Sequence, residues 1–398
     1  MFVDNQQYRE VEKDLIQWRR DLHQIPEIGF DLPKTTAYVR KVLEEIGIEY
    51  KELVNGSAIV GLIPGNTKNE MTVALRADMD ALPIQEETGL DFASTNGNMH
   101  ACGHDAHTAV LLAAAKILYK NKDILKGNVK LLFQPSEEKD GGAKPMIDEG
   151  CMENPTVDYV IGQHVGLLSQ ELKQGQMGYY PGTMMASLDE FTIKFTGSGG
   201  HGAYPHNAID PITMTAAAIG AYQDFMAREV NALEPAVFTI GKIQGGTQYN
   251  IIPDSVTLSG TCRCLSPEIR DQISERIKKI SSSIAEAYRG KCSVDYKYGY
   301  PSLQNNVPLT EKIAEVAKEI LDEDTVVELQ RPSMGSEDFA FYAQEAPGTF
   351  IFWNTSKECD GIAYPNHNSK FMVDENLLID GVKLFVESSI SLLNEGIK

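Results

Sequence analysis

Apolar and polar positions along the chain change period several times. Residues 6–24 and 33–47 place apolar side chains three and four positions apart, which predicts two amphipathic helices with Pro26 and Pro33 as punctuation. Ala58–Ile63 and Met71–Ala77 read as strands joined through the turn residues Pro64-Gly65-Asn66. The loop from Met99 to Asp105 leads into an alanine- and leucine-rich helix expected to end near Tyr119. Val129–Gln134 is an apolar strand stopped by Pro135, and Val157–Gly162 is another. Strands alternating with helices predict an α/β layered domain built on a mostly parallel or mixed sheet.

The pattern changes near Ser187. Phe191–Thr196 alternates as a strand, Gly197–Gly202 is glycine-rich, and a helix starts near Asp210-Pro211 with proline in its first turn. Strands near Ala236–Ile243 and Ser255–Cys262 follow. A helix capped by Ser266 and a strand at Cys292–Tyr298 complete a β-α-β-β-α-β block. That order predicts a ferredoxin-like α+β domain at 186–301, inserted into a first domain made of 1–185 and 302–398. The chain is expected to close on a helix from about Asp374.

The 398 residues carry a formal charge of −20, which disfavours nucleic acid and anionic lipid as partners. Acidic residues that merely solvate helix faces explain most of that balance equally well. Apolar runs fall short of the roughly 20 residues needed to span a bilayer. The opening Met1-Phe2-Val3-Asp4-Asn5 lacks the pattern of a secretion signal, and the six cysteines are widely spread. A reduced, cytoplasmic protein that does not engage membranes is the expectation.

Candidate chemistry concentrates in a few places. Three of the eight histidines, His100, His104 and His107, fall within one short segment that also contains Cys102. A thiolate and an imidazole two residues apart can face one metal ion, although a chance cluster around a core cysteine has the same spelling. Glu137-Glu138 directly follows the strand ending at Gln134 and Pro135, where open α/β sheets place their sites. His164 follows the Val157–Gly162 strand, and His367 is expected just after a strand at Thr349–Trp353. A mixed Cys/His/Glu set with open positions is a catalytic rather than a closed structural pattern.

Four motifs then point to one group: His100-Ala-Cys-Gly-His104-Asp-Ala-His107, Phe133-Gln-Pro-Ser-Glu137-Glu138, Gly199-Gly-His201-Gly-Ala-Tyr-Pro-His206 and Met334-Gly-Ser-Glu-Asp338-Phe. In these the chain resembles the hippurate hydrolase, N-acetyldiaminopimelate deacetylase and indole-3-acetyl-amino-acid hydrolase group of the aminoacylase and carboxypeptidase superfamily. The resemblance runs from Arg20-Asp-Leu-His23 to Asn366-His367. It implies hydrolysis of the amide bond of N-acyl amino acids. It implies two divalent ions (Mn²⁺, Zn²⁺, Co²⁺ or Ni²⁺) held by Cys102, His104, Glu138, His164 and His367. Glu137 matches the general base and Asp80 the catalytic aspartate, which acts by orienting a ligand. His201, on the inserted lid domain, matches a histidine that donates to the developing oxyanion, often in a neighbouring subunit, so a homodimer is implied. Asn250 and Arg263 match binders of the substrate carboxylate. Where Asp78 and Cys102 stand, more distant relatives carry a histidine and a bridging aspartate.

Plainer readings accompany several of these residues. Arg263 could form a surface ion pair, Cys262 and Cys264 could fill a core, and His23 could make a helix-end hydrogen bond. His107 reads as a support for the loop and His206 as structural. Ser336-Glu337-Asp338 could simply cap a helix. Cys102 as an exposed thiolate would be sensitive to oxidants. A dipeptidase or aminopeptidase, a cysteine hydrolase and a non-catalytic metal binder are the rival functions.

Overall fold

The computed structural model describes residues 2–66 and 71–397, so residues 1 and 398 of the expected first domain lie outside it. In chain order the first elements are α1 (Asn5–His23), α2 (Pro33–Ile46), β1 (Glu49–Leu53), β2 (Ala58–Ile63), β3 (Thr72–Asp78), α3 (His104–Lys120), β4 (Asn128–Gln134), α4 (Ala143–Asp148), β5 (Tyr159–Val165), β6 (Met177–Tyr179) and β7 (Gly182–Met185). Then come β8 (Asp189–Thr196), β9 (Gly200–His201), α5 (Pro211–Arg228), β10 (Ala236–Gly245), β11 (Ile251–Ile252), β12 (Ser255–Cys264), α6 (Pro267–Ala287) and β13 (Lys291–Tyr298). The chain finishes with β14 (Leu303–Asn305), α7 (Val307–Ile320), β15 (Val326–Glu328), α8 (Ala340–Glu345), β16 (Gly348–Trp353), β17 (Glu358–Cys359), β18 (Ile362–Ala363) and α9 (Leu378–Glu395). Two compact units result, one of residues 1–184, 304–332 and 338–398, the other of 185–303 and 333–337.

The first unit is built on a mixed eight-stranded sheet in the order β1-β2-β4-β3-β5-β16-β6-β15. Its centre, β4-β3-β5-β16, is parallel, and β2 and β1 extend it antiparallel. Parallel strands are covered on both faces and therefore read as continuous apolar runs. That is why β3 and β4 were legible in the sequence, whereas β1, whose five residues Glu-Tyr-Lys-Glu-Leu are largely exposed at the edge, was not expected. Helix α3 is apolar nearly all round and is buried along most of its length, as a helix at the centre of a large core must be. It packs between α1 and α9.

The second unit is the β8-α5-β10-β12-α6-β13 arrangement in a four-stranded antiparallel sheet ordered β10-β12-β8-β13. This is the strand order of a ferredoxin-like fold. Its helices start where the sequence signals them, with Asp210 accepting from the Ile212 N–H and Ser266 from the Ile269 N–H. Cys262 and Cys264 share one face of β12 inside this unit's core, their sulfurs 3.6 Å apart.

A buried polar cluster ties α1 to α3 and to the loop after β3. Arg19 Nε lies 2.9 Å from Asp105 Oδ2, His23 Nδ1 lies 2.7 Å from the same oxygen, and His23 Nε2 is 3.1 Å from Glu86 Oε1. His23 thus joins three segments rather than closing a helix end. Glu86 also accepts from Thr88 Oγ1 and from the Ser94 N–H, fixing its own loop. Burial alone would raise its carboxyl, but these partners hold it down, to about 2 from an ordinary 4.5. A carboxyl lowered in the folded state stabilises it above its unfolded value and loses that contribution as pH falls toward the folded value. Urea unfolding midpoints of the wild type should therefore fall more steeply between pH 4.5 and about 2 than those of Glu86→Gln. Parallel pH profiles for the two proteins would contradict this.

Candidate metal centre

Adjacent parallel strands deliver their carboxyl ends side by side, and the chain leaves each of them carrying chemistry. β3 ends at Asp78 and continues to Asp80, and β4 ends at Gln134 and continues through Pro135-Ser136 to Glu137-Glu138. β5 runs two residues past His164's predecessor to Val165, so His164 lies inside the strand rather than after it. α3 begins at His104, and the turn before it requires Gly103 at φ +90°, where a Cβ would stand 2.6 Å from Val165 Cγ2. His367 does not directly follow β16. It lies beyond the short β17–β18 hairpin, in left-handed backbone at φ +69°, its N–H donating to Ala101 O at 2.8 Å. A non-glycine residue held there is over-determined by its surroundings, as functional positions commonly are.

These segments bring five side chains together. Cys102 Sγ is 3.3 Å from His164 Nε2, and His367 Nε2 is 2.9 Å from Glu138 Oε1. Five three-residue donor groups form among the described residues, each with its ligand atoms within 4.8 Å of one another. Asp78-His104-His107 and Glu137-Glu337-Asp338 flank the centre, and two more are Cys102-His104-His164 and Cys102-Glu138-His367. Cys102 belongs to both of the latter. The fifth group, His104-Glu137-Glu138, brings Glu137 to the same spot. Asp80 supports the whole: its two oxygens accept from the Glu137 and Glu138 N–H groups at 2.9 and 3.1 Å, and His104 Nδ1 lies 3.3 Å from it. His164 donates through Nδ1 to Val165 O at 2.9 Å, which leaves Nε2 bare and directed at Cys102.

The donors fit a divalent cation. Both ring nitrogens of His104 are buried without a hydrogen-bond partner, a condition that costs about 1–3 kcal/mol per group unless something fills the coordination. Thiol, imidazole and carboxylate are the set that borderline transition metals take. Electrostatics reflect the same crowding. Burial, opposed by His367 and His104, leaves the Glu138 carboxyl below its usual range. Burial would lower His104, yet Asp78, Asp80 and Glu138 lift it to about 10. Burial, together with Glu138 and Glu137, pushes the Cys102 thiol well up, and the residue is only 7% exposed. The expectation of an exposed thiolate at Cys102 is corrected as to exposure: the fold buries the sulfur.

Three supporting residues carried weaker signals in the sequence. Asn366 donates to Cys102 O at 3.1 Å and to Val165 O at 3.0 Å and accepts from the Leu167 N–H, clasping the segments that bear Cys102, His164 and His367. Arg76 and Asp338 form a buried ion pair at 2.8 Å, with Asp338 also accepting from Gln134 and the Ala143 N–H. The capping role for Ser336-Glu337-Asp338 is therefore corrected. α8 starts at Ala340 without a side-chain cap, and the Asp338 carboxylate is used to neutralise Arg76. An arginine inside an otherwise apolar strand was the available clue. His100 is buried with both ring nitrogens unpartnered, yet it joins none of the donor groups.

His201, Asn250 and Arg263 belong to the second unit. His201 and Asn250 lie on one ribbon: Ile251 pairs with His201, and the Gly202 N–H donates to Asn250 O at 2.8 Å. The Ala203 N–H donates to His201 Nδ1 at 3.1 Å, so the ring's proton sits on Nε2. Arg263 lies within β12, its guanidinium donating to Thr261 Oγ1 at 3.0 Å, and among the described residues it has no carboxylate partner. His206 stacks edge-on to Tyr204, 6.2 Å between ring centroids.

The model of the peptidase family M20/M25/M40 matches residues 74–389. The chain is 42% identical over 375 residues to thermostable carboxypeptidase 1 of Saccharolobus solfataricus, covering 93% of each. It is 39% identical over 389 residues to N-acetyl-L-cysteine deacetylase of Bacillus subtilis, covering 96% of this chain and 89% of the relative. The crystal structure of the YXEP protein of Bacillus subtilis, a dinuclear metal-binding peptidase of the M20 family, superposes with a TM-score of 0.83 at 32% identity, covering 97% of this chain and 99% of that one. With most of its length matched by the family model and by relatives above 30% identity, this chain is a hydrolase of the M20/M25/M40 peptidase family that acts on amide bonds.

Proposed function

We propose that the protein hydrolyses the amide bond of N-acyl amino acids at a centre of two divalent metal ions. The observation that carries this reading is the pair of donor groups sharing Cys102, with Glu137 beside them. Cys102, His104 and His164 would hold one ion and Cys102, Glu138 and His367 the other, whether Mn²⁺, Zn²⁺, Co²⁺ or Ni²⁺. When bound, such ions lower the pKa of water from about 15.7 toward 7 and polarise a carbonyl. Glu137 takes the attacking water's proton and delivers it to the leaving amine. Asp80 holds Glu137 and Glu138 by their N–H groups and faces His104, so it orients three of the participants at once. His201, protonated on Nε2, is the donor for the developing oxyanion. Arg263, free of any acid among the described residues, and Asn250 bind the substrate's carboxylate.

A homodimer is supported by β10, an edge strand of the second unit that exposes Val237 and Ile243 and carries few charges against pairing with another copy. A reducing, cytoplasmic setting agrees with six cysteines that all remain free thiols, and no helix among the described residues is long and apolar enough to cross a membrane. The second reading is a dipeptidase or aminopeptidase, whose substrate has a free amine in place of the acyl group, and the carboxypeptidase name of the Saccharolobus relative agrees with action on peptides.

The test is amine release from a panel of N-acyl amino acids and unblocked dipeptides, using chelator-stripped protein with each metal added back. N-acyl substrates should turn over only with metal, and Glu137→Gln should lose on the order of 10²–10⁴-fold in kcat, the usual worth of a positioned general base. Preference for unblocked dipeptides, or turnover that survives the chelator, would overturn the reading. His201→Ala should lose a further, separate contribution of about 10²–10³ in kcat with intact metal content. Unchanged kcat in that variant would remove His201 from the mechanism.

A further inference from the structure

Behind the donor cluster lies a connected line of buried groups. Arg76 Nη1 donates to Asp78 Oδ2 at 2.6 Å, and His107 Nδ1 meets Asp78 Oδ1 at 2.6 Å. The far nitrogen of His107, Nε2, accepts from the Val165 N–H at 2.9 Å. An acceptor nitrogen there requires the proton on Nδ1, so Asp78 fixes the tautomer and the ring fixes the backbone of β5 at Val165. His164, the neighbouring residue, is in turn locked by its own Nδ1 donation to Val165 O, and its ring sits edge-on to that of His107 with centroids 4.6 Å apart. Asp78 is also 3.6 Å from His104 Nε2. Every one of these contacts falls on the Cys102-His104-His164 side of the cluster. The other side relies on Glu138 and on His367, whose side chain is 54% exposed and whose backbone N–H donates to Ala101 O.

Resting on the two-metal reading above, we infer that Asp78 and His107 are positioning residues for one of the two metal positions, the one formed by Cys102, His104 and His164. The two positions are unequal by construction. The inner one is enclosed and braced by a carboxylate–imidazole pair anchored on Arg76, and the outer one opens toward His367. Losing outer partners of this kind weakens metal affinity by about 10–100-fold where the braced ligand binds. Because the bracing reaches His164 and not Glu138 or His367, the loss belongs to one metal equivalent only.

The experiment is titration of chelator-stripped protein with Mn²⁺, followed by calorimetry and by the loss of the free-ion electron paramagnetic resonance signal. The wild type should take up two equivalents. His107→Asn retains a donor for Asp78 but is too short to reach the Val165 N–H, and it should weaken one equivalent about 10–100-fold while leaving the other within about twofold. His107→Gln, whose amide oxygen can extend to the Val165 N–H, should recover much of that loss. Asp78→Asn keeps the shape without the charge and should weaken the same equivalent. Melting curves of the metal-free variants check that each is folded. Equal weakening of both equivalents, or none, in folded variants would overturn the inference, while a wild type that binds fewer than two Mn²⁺ overturns the two-metal reading and the inference with it.

Discussion

A carboxylate-rich pocket with buried imidazoles and a thiol is an unfavourable thing to fold around. Cys102, His104 and His164 are enclosed, Glu137 and Glu138 stand next to them, and the nitrogens of His104 face Asp80 at 3.3 Å and Asp78 at 3.6 Å without closing a hydrogen bond. Much of the surrounding architecture serves to tolerate this concentration. Asp80 absorbs two backbone N–H groups, Arg76 neutralises Asp78 and Asp338, and Asn366 binds three segments through their backbone. Each buried polar group so satisfied avoids a penalty of about 1–3 kcal/mol. What is left unsatisfied is the set of lone pairs aimed at one another, and a cation is the occupant that such a set suits.

The sheet explains why these donors meet. Strands β4, β3 and β5 run parallel and adjacent, so the three segments that leave their carboxyl ends emerge within a few ångströms of each other. The apolar helix α3 enters directly beneath, bringing Cys102 and His104 by way of a glycine that alone accommodates the turn against Val165. Only His367 arrives from far along the chain, and it needs left-handed backbone and the Asn366 clasp to reach the cluster. The site is thus a consequence of parallel strand order plus one long-range loop.

Much of this was readable from residues alone. The buried parallel strands gave continuous apolar runs, and the ferredoxin-like unit announced its helices through Asp210 and Ser266 at their N-termini. Membership of the amidohydrolase family followed from four short motifs, and the comparisons bear it out. Other features escaped because they depend on distant partners. The edge strand β1 lacks an apolar pattern since neither face is deeply buried. Ser336-Glu337-Asp338 has the spelling of a cap, but Asp338 is committed to Arg76, 262 positions away in sequence. The burial of Cys102, and with it the upward push on its thiol, is set by strands that meet only in the folded chain.

The central proposal is that one cysteine sulfur, that of Cys102, would serve both metal positions. X-ray absorption at the zinc edge, on protein loaded with two Zn²⁺, tests it directly. A shared Cys102 predicts a sulfur shell at about 2.3 Å for both ions and a metal–metal vector of about 3.5–4 Å, with the sulfur shell abolished in Cys102→Ser. A first shell of nitrogen and oxygen alone, or sulfur bound to a single isolated zinc, would contradict the account.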